Sequence, residues 1–235
     1  MNNRYSRHIM LPDIGCEGQT KLSQARVLVV GVGGLGSPIS LYLTAAGVGH
    51  IGIIDNDVVS HSNLQRQVLY HEADVGKDKV HCAYTHLHSI SSHTSFNIYP
   101  TRLDSNNAAS IITDYDIVVD GCDNADTRYT IDDVCALQGK PYVYGAINEY
   151  CGQVSVFDAR YNWRYSQLYP DRTHAISQPD IINGVVATLP GIIGTIQATE
   201  VIKLITGVGD SLIKKLFMID IRTMESNTIN FKELL

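Results

Sequence analysis

A glycine-rich turn between a predicted strand and a predicted helix constrains this chain most strongly. Residues 26–30 (RVLVV) form a β-branched run typical of a buried parallel strand, and the turn at 31–36 (GVGGLG) follows at once. The next residues, 37–46, predict a helix that Gly47 can end. A second strand at 50–55 completes a βαβ unit of about 30 residues.

The turn and the acid that ends the second strand together predict a nucleotide site. Glycines permit a tight turn and a close approach of backbone to phosphate, and the helix N-terminus offers unpaired N–H groups. Asp55 comes 22 residues after Gly33, where a carboxylate can accept hydrogen bonds from ribose hydroxyls. The alternative, glycines used only for helix packing, does not account for Asp55. The residues assigned to the nucleotide on this ground are Gly31, Gly33, Gly34, Gly36 and Asp55.

The alternation of predicted strands and helices continues along the chain and then changes character. Helices at about 77–90, 106–113 and 126–138 alternate with strands at 96–99, 117–120 and 142–145. This predicts an α/β fold with a Rossmann-like, mostly parallel, doubly wound sheet. A strand at 153–157, a polar loop at about 158–182, a long apolar helix at about 189–206 and an antiparallel pair at 212–222 and 225–231 follow. We therefore expect one unit over 1–235, with a helical arm at about 1–24, a nucleotide-binding core at 25–150 and a C-terminal antiparallel β extension within 151–235.

Composition argues against several classes of partner. The chain has 18 Lys+Arg against 24 Asp+Glu, a net charge of −6, and no basic run longer than Lys214-Lys215, so a nucleic-acid ligand is not expected. No stretch approaches 18 uninterrupted apolar residues, and the N-terminus lacks the apolar region of a signal peptide. We expect a cytoplasmic protein without a membrane partner. The five cysteines include no C-x-x-C pair, which argues against disulfides and a thiolate zinc site.

Polar segments after two of the predicted strands favour a triphosphate over a nicotinamide. Asp55-Asn56-Asp57 is followed by residues 62–67 (SNLQRQ), and Lys77 and Lys79 begin the next helix. An arginine fork and a lysine point charge suit phosphate groups. Residues 120–124 (DGCDN) close a strand at the carboxyl edge of the sheet, where an acid is well placed for Mg²⁺. Taken alone, a strand-end acid is equally explained as the N-cap of the next helix.

Together these segments resemble the ThiF/MoeB/HesA family of adenylyltransferases, relatives of the ubiquitin-activating enzymes, and are closest to the ThiF type of thiamine biosynthesis. The resemblance covers the chain from Arg4 onward. It is carried by residues 4–9 (RYSRHI), the glycines of 31–36, Asp55 and Asp57, residues 62–67, Lys79, Asp123-Asn124 and Gly152-Gln153.

The resemblance implies an ATP-dependent adenylyltransferase. Such an enzyme activates the C-terminal Gly-Gly carboxylate of a small β-grasp sulfur carrier, of the thiamine or molybdopterin type, as an acyl-adenylate and releases pyrophosphate. It implies ATP and Mg²⁺ as cofactors, with the metal held transiently by Asp123. It also implies a homodimer in which Arg7 reaches the partner's site. The implied catalytic residues are Arg7, Arg66, Lys79 and Asp123, and the implied nucleotide contacts add Asp57, Asn63, Gln67 and Asn124 to the glycines and Asp55.

The departures from the family pattern concern cysteines. Relatives usually carry two C-x-x-C pairs for a structural zinc, but residues 163–166 read WRYS and the sequence stops before the second pair, so no zinc of that kind is expected. Thiamine-type members place a cysteine in the loop before the long helix, where this chain has Asp180. Cys122 is the best substitute by position and Cys151 the next, although a strand-end cysteine is more often a small buried hydrophobe.

The histidines indicate no metal site, and most of the aromatic residues are explained by packing. His81, His86 and His88 share one predicted helix, and no i, i+4 pair with an acid indicates a metal site. The 13 tyrosines predict half-exposed packing. The alternative for the crossover loop is contact with a carrier tail, through Trp163, Tyr165 and Tyr169.

Three other functions stay open. An NAD-binding oxidoreductase rests on the glycine turn and Asp55 alone, and the chain has no clear second mononucleotide half. A nucleotide-binding assembly protein without chemistry would explain the missing cysteines, but it would not need Arg66, Lys79 or Asp123. Adenylation of a peptide or small carboxylate differs from the main hypothesis only in its substrate.

Overall fold

A single mixed sheet of eight strands runs through the computed structural model, which describes residues 3–177 and 184–231. The strands are β1 (Arg26–Val30), β2 (His50–Ile54), β3 (Ser95–Tyr99), β4 (Ile117–Asp120), β5 (Tyr142–Asn148), β6 (Cys151–Phe157), β7 (Lys215–Asp220) and β8 (Glu225–Asn230). The helices are α1 (Ser6–Ile9), α2 (Gly15–Gln24), α3 (Gly36–Ala46), α4 (Lys79–Ile90), α5 (Ala108–Thr113), α6 (Ala125–Gln138), α7 (Tyr165–Leu168), α8 (Arg172–Ser177) and α9 (Thr188–Thr206).

The order of the strands places a crevice beside β1. The sheet reads β3-β2-β1-β4-β5-β6-β7-β8, with parallel pairing from β3 to β5 and antiparallel pairing from β5 to β8. The chain therefore moves outward from β1 in one direction through β2 and β3, and returns to continue on the other side at β4. Ligands of such sheets bind at the carboxyl ends of the strands where the order reverses. The predicted α/β fold, with its antiparallel C-terminal extension, is confirmed.

The sheet is buried on both faces, which explains the continuous apolar runs in its central strands. Val27 and Val29 of β1 belong to one core, together with residues of α3 and α9. Leu28 and Val30 point to the opposite face, where an aromatic-rich core includes Tyr129 of α6. Because side chains alternate across a strand, only a strand covered on both faces is apolar throughout.

The segment predicted as a polar loop at 158–182 contains two short helices, α7 and α8, and part of the aromatic core. Trp163 is 2% exposed and stacks on Phe231 with 4.8 Å between ring centroids. Tyr165 is 4% exposed and meets Tyr129 edge to face at 4.9 Å. The suggestion that Trp163 and Tyr165 contact a carrier tail is therefore wrong. Half-exposed packing is also wrong for several tyrosines, since Tyr70, Tyr115, Tyr129, Tyr142, Tyr144 and Tyr165 are buried.

The hairpin of β5 and β6 is longer than predicted and leads out of the parallel part of the sheet. β5 continues to Asn148, and β6 begins at Cys151 instead of 153. Glu149 in the turn has a φ of 52°, which allows the tight reversal. The last hairpin is shorter than predicted at its start, since β7 begins at Lys215 instead of 212. Within the ranges given above, none of the helices has the length and apolar character that crossing a membrane requires.

Candidate active site

A cavity of about 560 Å³ lies at the carboxyl ends of the strands around β1. Its size falls in the usual range for small-molecule sites. Ten of the residues assigned from sequence line this one cavity, namely Gly31, Gly33, Gly34, Asp55, Asp57, Arg66, Gln67, Lys79, Asp123 and Asn124. Gly36, Asn63 and Arg7 are not among the lining residues.

Two glycines of the turn are required by the packing of the turn itself. Gly31 has a φ of +84°, and a Cβ atom there would lie 2.7 Å from the carbonyl oxygen of Gly121. A Cβ atom on Gly36 would lie 2.0 Å from the carbonyl oxygen of Gly31. Gly36 therefore shapes the start of α3 and does not itself line the cavity, which Gly33 and Gly34 do.

One hydrogen bond from the glycine turn and one from Asp57 orient the carboxylate of Asp55. Its Oδ2 accepts from the Val32 N–H at 2.9 Å, and its Oδ1 accepts from the Asp57 N–H at 2.9 Å. A carboxylate has about four lone-pair positions, so two stay available to hydroxyl donors in the cavity. The acid that the sequence assigns to ribose is thus locked to the turn that the sequence assigns to phosphate.

Lys79 enters the cavity as a nearly buried cation. Its Nζ lies 3.0 Å from Oδ2 of Asp57, and 6% of the Lys79 side chain is exposed against 64% of the Asp57 side chain. The Lys79 N–H also donates to the Asp57 carbonyl at 2.9 Å, which fixes the first turn of α4. An ammonium has three donors, so the ion pair with Asp57 leaves two for a ligand.

The polar segment 62–67 places one cation and one amide at the cavity. Nη1 of Arg66 donates to the Ser62 carbonyl at 3.1 Å. Gln67 is 5% exposed, and its Oε1 accepts no hydrogen bond from the described residues. Asn63 faces its own turn instead, where its Oδ1 accepts from the Ser60 N–H at 3.1 Å. The cavity thus receives Arg66 and Gln67, while Asn63 stabilises the turn that precedes them.

Arg7 lies apart from this cavity. It is exposed on α1, the short helix of the N-terminal arm. Its assigned role concerns a partner subunit's site, so that role stays a prediction.

A buried carboxylate organises the end of β4. Asp120 is fully buried, and its oxygens accept from Nε of Arg128 at 3.0 Å and from the Tyr142 hydroxyl at 2.9 Å. The Cys122 N–H and thiol also donate to Asp120, at 2.9 and 2.8 Å. Arg128 lies over the ring of Tyr144 at 5.3 Å and lines the cavity. Its Nη2 also donates to the carbonyls of Cys122 and Gly145, at 3.0 and 3.3 Å, so four groups fix the guanidinium at the strand end.

Cys122 lacks the properties of a nucleophile. Burial raises the pKa of the Cys122 thiol well above its ordinary value, and the negative charge of the Asp120 carboxylate is the second cause. Because the thiolate is the reactive form, this shift makes the thiol less reactive near neutral pH than an ordinary cysteine. This argues against Cys122 as the substitute for a missing loop cysteine. Cys151 is exposed at the start of β6, outside the cavity, and Asp180 lies outside the described residues.

Asp123 and Asn124 differ in which of them caps α6, a point that the sequence left undecided. Asn124 is the N-cap of α6: its Oδ1 accepts from the Thr127 N–H at 3.0 Å. Asp123 is exposed, lines the cavity, and has no hydrogen bond or ion pair with any described residue. The capping interpretation therefore belongs to Asn124. A carboxylate of this kind, with its oxygens available, fits Mg²⁺.

Sequence reasoning missed two cations of the cavity, Arg102 and Arg128. Arg102 donates from Nη2 to Oδ1 of Asn124 at 3.1 Å and follows the end of β3. Arg128 stands in the first turn of α6, after the end of β4. A search for cations just beyond each strand end would have found both. With them the lining carries four cations, Arg66, Lys79, Arg102 and Arg128, and four acids, Asp55, Asp57, Asp123 and Glu149.

Helix α9 packs behind the site. Nε2 of Gln197 donates to the Asp120 carbonyl at 2.7 Å. A Cβ atom on Gly194 would lie 2.6 Å from the Leu35 carbonyl, and one on Gly34 would lie 3.3 Å from Pro190. The helix thus touches both the glycine turn and the end of β4.

A carboxylate fixes the segment at 163–166, the position at which the resemblance led us to compare this chain with a C-x-x-C pair. Asp132 of α6 is 2% exposed and accepts from Nη2 of Arg164 at 2.9 Å. It also accepts from the N–H groups of Tyr165 and Ser166, at 2.9 and 3.3 Å. Protein groups alone therefore satisfy this carboxylate and hold the segment on α6.

Sequence comparison identifies the class of protein that this fold and site define. The ThiF family model matches residues 5–234, and the chain belongs to the ThiF family. The chain is 43% identical over 235 residues to a probable adenylyltransferase/sulfurtransferase MoeZ of Mycobacterium tuberculosis, covering 98% of this chain and 60% of that protein. It is 46% identical over 206 residues to a probable molybdopterin-synthase adenylyltransferase of Porphyra purpurea, covering 87% and 54%.

A relative of more similar length is the sulfur carrier protein adenylyltransferase of Thermus thermophilus. It is 42% identical over 224 residues, with 93% of this chain and 83% of that protein covered. The chain thus spans 60% or less of two of these relatives and most of the third.

Solved structures agree on the fold. PaaA superposes with a TM-score of 0.83 at 22% identity, covering 97% of this chain and 72% of that one. The structure of E. coli MccB with ATP gives 0.81 at 24% identity, covering 98% and 71%.

Proposed function

We propose that this protein is an ATP-dependent adenylyltransferase that activates the C-terminal carboxylate of a small β-grasp carrier protein ending in Gly-Gly. The observation that carries the proposal is one cavity that combines a glycine turn, the oriented carboxylate of Asp55, four cations and an acid, Asp123, that has no partner among the described residues. The relatives' names, which include a sulfur carrier protein adenylyltransferase, support the same class.

The proposed reaction joins a carboxylate oxygen to the α-phosphorus of ATP and breaks the bond between that phosphorus and the oxygen bridging to the β-phosphate. Pyrophosphate leaves with the electron pair of the broken bond, and an acyl-adenylate stays in the cavity. This chemistry needs positioning and charge stabilisation, and it needs no covalent nucleophile on the protein. The raised pKa of the Cys122 thiol is compatible with such a step.

Three of the four cations that line the cavity have a task in this proposal. Lys79 and Arg66 stabilise charge that develops on the phosphate oxygens, since Lys79 keeps two donors beyond its pair with Asp57. Arg128 is largely neutralised by Asp120 and holds the end of β4 in place. Asp55 binds the ribose. Asp123 would hold Mg²⁺, which neutralises phosphate charge when bound.

Two parts of the proposal concern assembly. Arg7 is exposed on the arm and would complete the site of the partner subunit in a homodimer. The segment at 163–166 is proposed to need no structural zinc, because Asp132 and Arg164 already fix it on α6.

ATP–pyrophosphate exchange tests the proposal. We expect exchange that depends on Mg²⁺ and on a Gly-Gly-ended β-grasp carrier, and that is lost when the carrier lacks its last glycine. Asp123→Asn should reduce exchange by about 100-fold or more, because it removes the carboxylate charge that would hold Mg²⁺ against the reacting phosphates.

Two results would contradict the proposal. If a short peptide with a free C-terminal carboxylate supports exchange and no carrier protein does, the substrate is a peptide. Thermal stabilisation by NAD and not by ATP with Mg²⁺ would favour an oxidoreductase.

A further inference from the structure

A second group of potential ligands lies outside the cavity, between the short 3₁₀ turn Glu72–Asp74 and helix α4. It consists of His71, Asp74 and His86. None of the three lines the nucleotide cavity. Sequence spacing did not reveal the group, because the two histidines are 15 positions apart and His86 lies on a different element from His71 and Asp74.

The donor atoms of the three side chains converge. Nε2 of His86 lies 2.8 Å from Oδ2 of Asp74, and Nδ1 of His71 lies 3.9 Å from the same oxygen. One ligand atom from each residue lies within 4.8 Å of the other two. The two imidazole rings meet edge to face with 4.4 Å between centroids. Small side-chain rotations bring such atoms to the roughly 2.0–2.2 Å bond lengths of a transition-metal ion.

The backbone already positions the Asp74 carboxylate before any metal binds. Asp74 is 7% exposed, and its Oδ2 accepts from the His71 N–H at 2.9 Å, so the carboxylate is fixed at the start of the turn. His86 is anchored on α4, and its side chain is 23% exposed. The His71 side chain is 67% exposed and is the one ligand free to swing. Lys77 is the nearest cation, 3.9 Å from Oδ1 of Asp74, and its 62% exposed side chain can move into solvent.

We propose that His71, Asp74 and His86 bind one divalent transition-metal ion of the Zn²⁺ class. Two imidazole nitrogens and one carboxylate oxygen are a donor set typical of zinc and its neighbours, whereas Mg²⁺ and Ca²⁺ take oxygen ligands almost throughout. Three protein ligands leave a coordination position for water. On binding, a proton on His86 Nε2 is released to water or replaced by one on Nδ1 through tautomer exchange with water, and the lone pair of Nε2 then faces the metal.

The position of this site gives it a structural consequence. His71 follows Gln67 by four residues, and Asp74 precedes Lys79 by five. A bound metal would join the segment that carries Arg66 and Gln67 to the helix that begins with Lys79. It would therefore stiffen one wall of the nucleotide cavity from outside.

The competing explanation is that His86 merely fastens α4 to Asp74 through one hydrogen bond. That bond accounts for His86, and a capping contact of the His71 side chain with the 3₁₀ turn accounts for part of the position of the second ring, which also lies against His86 with Nδ1 3.9 Å from the same oxygen. The two explanations differ in whether His71 matters to metal binding.

Titration of the chelator-treated full chain with Co²⁺, followed by its visible absorption and by displacement with Zn²⁺, tests the proposal. We expect one Co²⁺ per chain, with binding at least about 10-fold weaker in His71→Ala and in His86→Gln, since even loss of an outer-shell partner costs about 10–100-fold. His81→Ala is the matched control, because His81 Nδ1 lies 3.3 Å from Oδ2 of Asp78 at the start of the same helix, and no third ligand joins them among the residues that the structure describes. It should bind Co²⁺ as the parent chain does.

Melting temperatures of the metal-free variants separate metal binding from folding. His71→Ala should melt like the parent chain without metal and should lose the stabilisation that Zn²⁺ gives. Equal Co²⁺ affinity in the parent chain, His71→Ala and His86→Gln would overturn the proposal, as would the absence of Co²⁺ binding by the parent chain. A lower melting temperature for His86→Gln with unchanged Co²⁺ affinity would assign the contact to folding alone.

Discussion

Nε of Arg128 lies 3.0 Å from Oδ2 of Asp120, a carboxylate with no exposed surface at the end of β4. Both residues come from one short stretch of sequence, where the strand ends and α6 begins. Their ion pair fixes the first turn of the helix against the strand, and the hydroxyl of Tyr142 completes it at 2.9 Å. The edge of the candidate active site is thus built on a buried charge pair.

Removal of this arginine should destabilise the whole chain. Arg128→Ala leaves the Asp120 charge buried without its cation, which typically costs about 3–5 kcal/mol and lowers Tm by roughly 10 °C in a chain of this size. Thermal melting followed by circular dichroism measures the change. Arg102→Ala is the control, since Arg102 also lines the cavity but is 54% exposed. A Tm for Arg128→Ala equal to that of the control would contradict the structural role of the pair.

Lys79 should matter for ATP and little for stability. Lys79→Met removes a charge-assisted contact to phosphate, for which we expect ATP affinity to fall by about 10–100-fold. Its partner Asp57 is 64% exposed, so water can replace the ammonium and Tm should change little. Lys77→Met is the matched control, since Lys77 lies two residues earlier and outside the cavity. Equal ATP affinity in the two variants, measured by calorimetry, would remove Lys79 from the site.

Cys122 should resist alkylation at pH 8. Because burial and the Asp120 charge raise the pKa of its thiol, the thiolate fraction stays small at pH 8 and grows only at pH values above the range of an ordinary cysteine. Mass spectrometry after brief iodoacetamide treatment should find Cys16 and Cys151, both exposed, labelled before Cys122. Cys122→Ser should keep pyrophosphate exchange. Labelling of Cys122 as fast as Cys151 would show that the thiol is not shielded in this way.

Gly36 should not tolerate a side chain. Gly36→Ala places a Cβ atom 2.0 Å from the Gly31 carbonyl oxygen, a backbone atom that cannot move without opening the turn. We expect a loss of about 3 kcal/mol or more in the free energy of unfolding. Gly191→Ala is the control within α9, where a Cβ atom has nothing within 4 Å and should stabilise the chain by about 0.5–1 kcal/mol. Urea denaturation compares the two, and equal stabilities would mean that the turn adjusts.

The part of the molecule that was predicted correctly depends on local signals. The β-branched strand, the glycines of the turn and the spacing to Asp55 each constrain the backbone nearby, so the βαβ unit and its place in a parallel sheet follow from the sequence. The switch point then brings the distant strand ends together, which is why Lys79 and Asp123 line the same cavity as Gly33.

The rest depends on which elements become neighbours, and spacing does not reveal this. Trp163 lies in a polar segment, and its burial comes from Phe231 near the other end of the C-terminal region. The contact between His71 and His86 depends on how a short turn packs on α4, and this packing cannot be predicted from the spacing of the two residues. Asn63 was assigned to the nucleotide by family pattern, whereas its amide oxygen accepts a hydrogen bond from the Ser60 N–H within its own turn.

The contacts of helix α9 link the glycine turn and the end of β4 in one cooperative unit. Gln197 holds the Asp120 carbonyl, and Gly194 lies against Leu35, so this helix cannot detach without freeing both walls of the cavity. Local opening of such a unit exposes all of its amides together. In native-state hydrogen exchange, the amides of Gln197, Ser37 and Gly121 should therefore share one opening free energy.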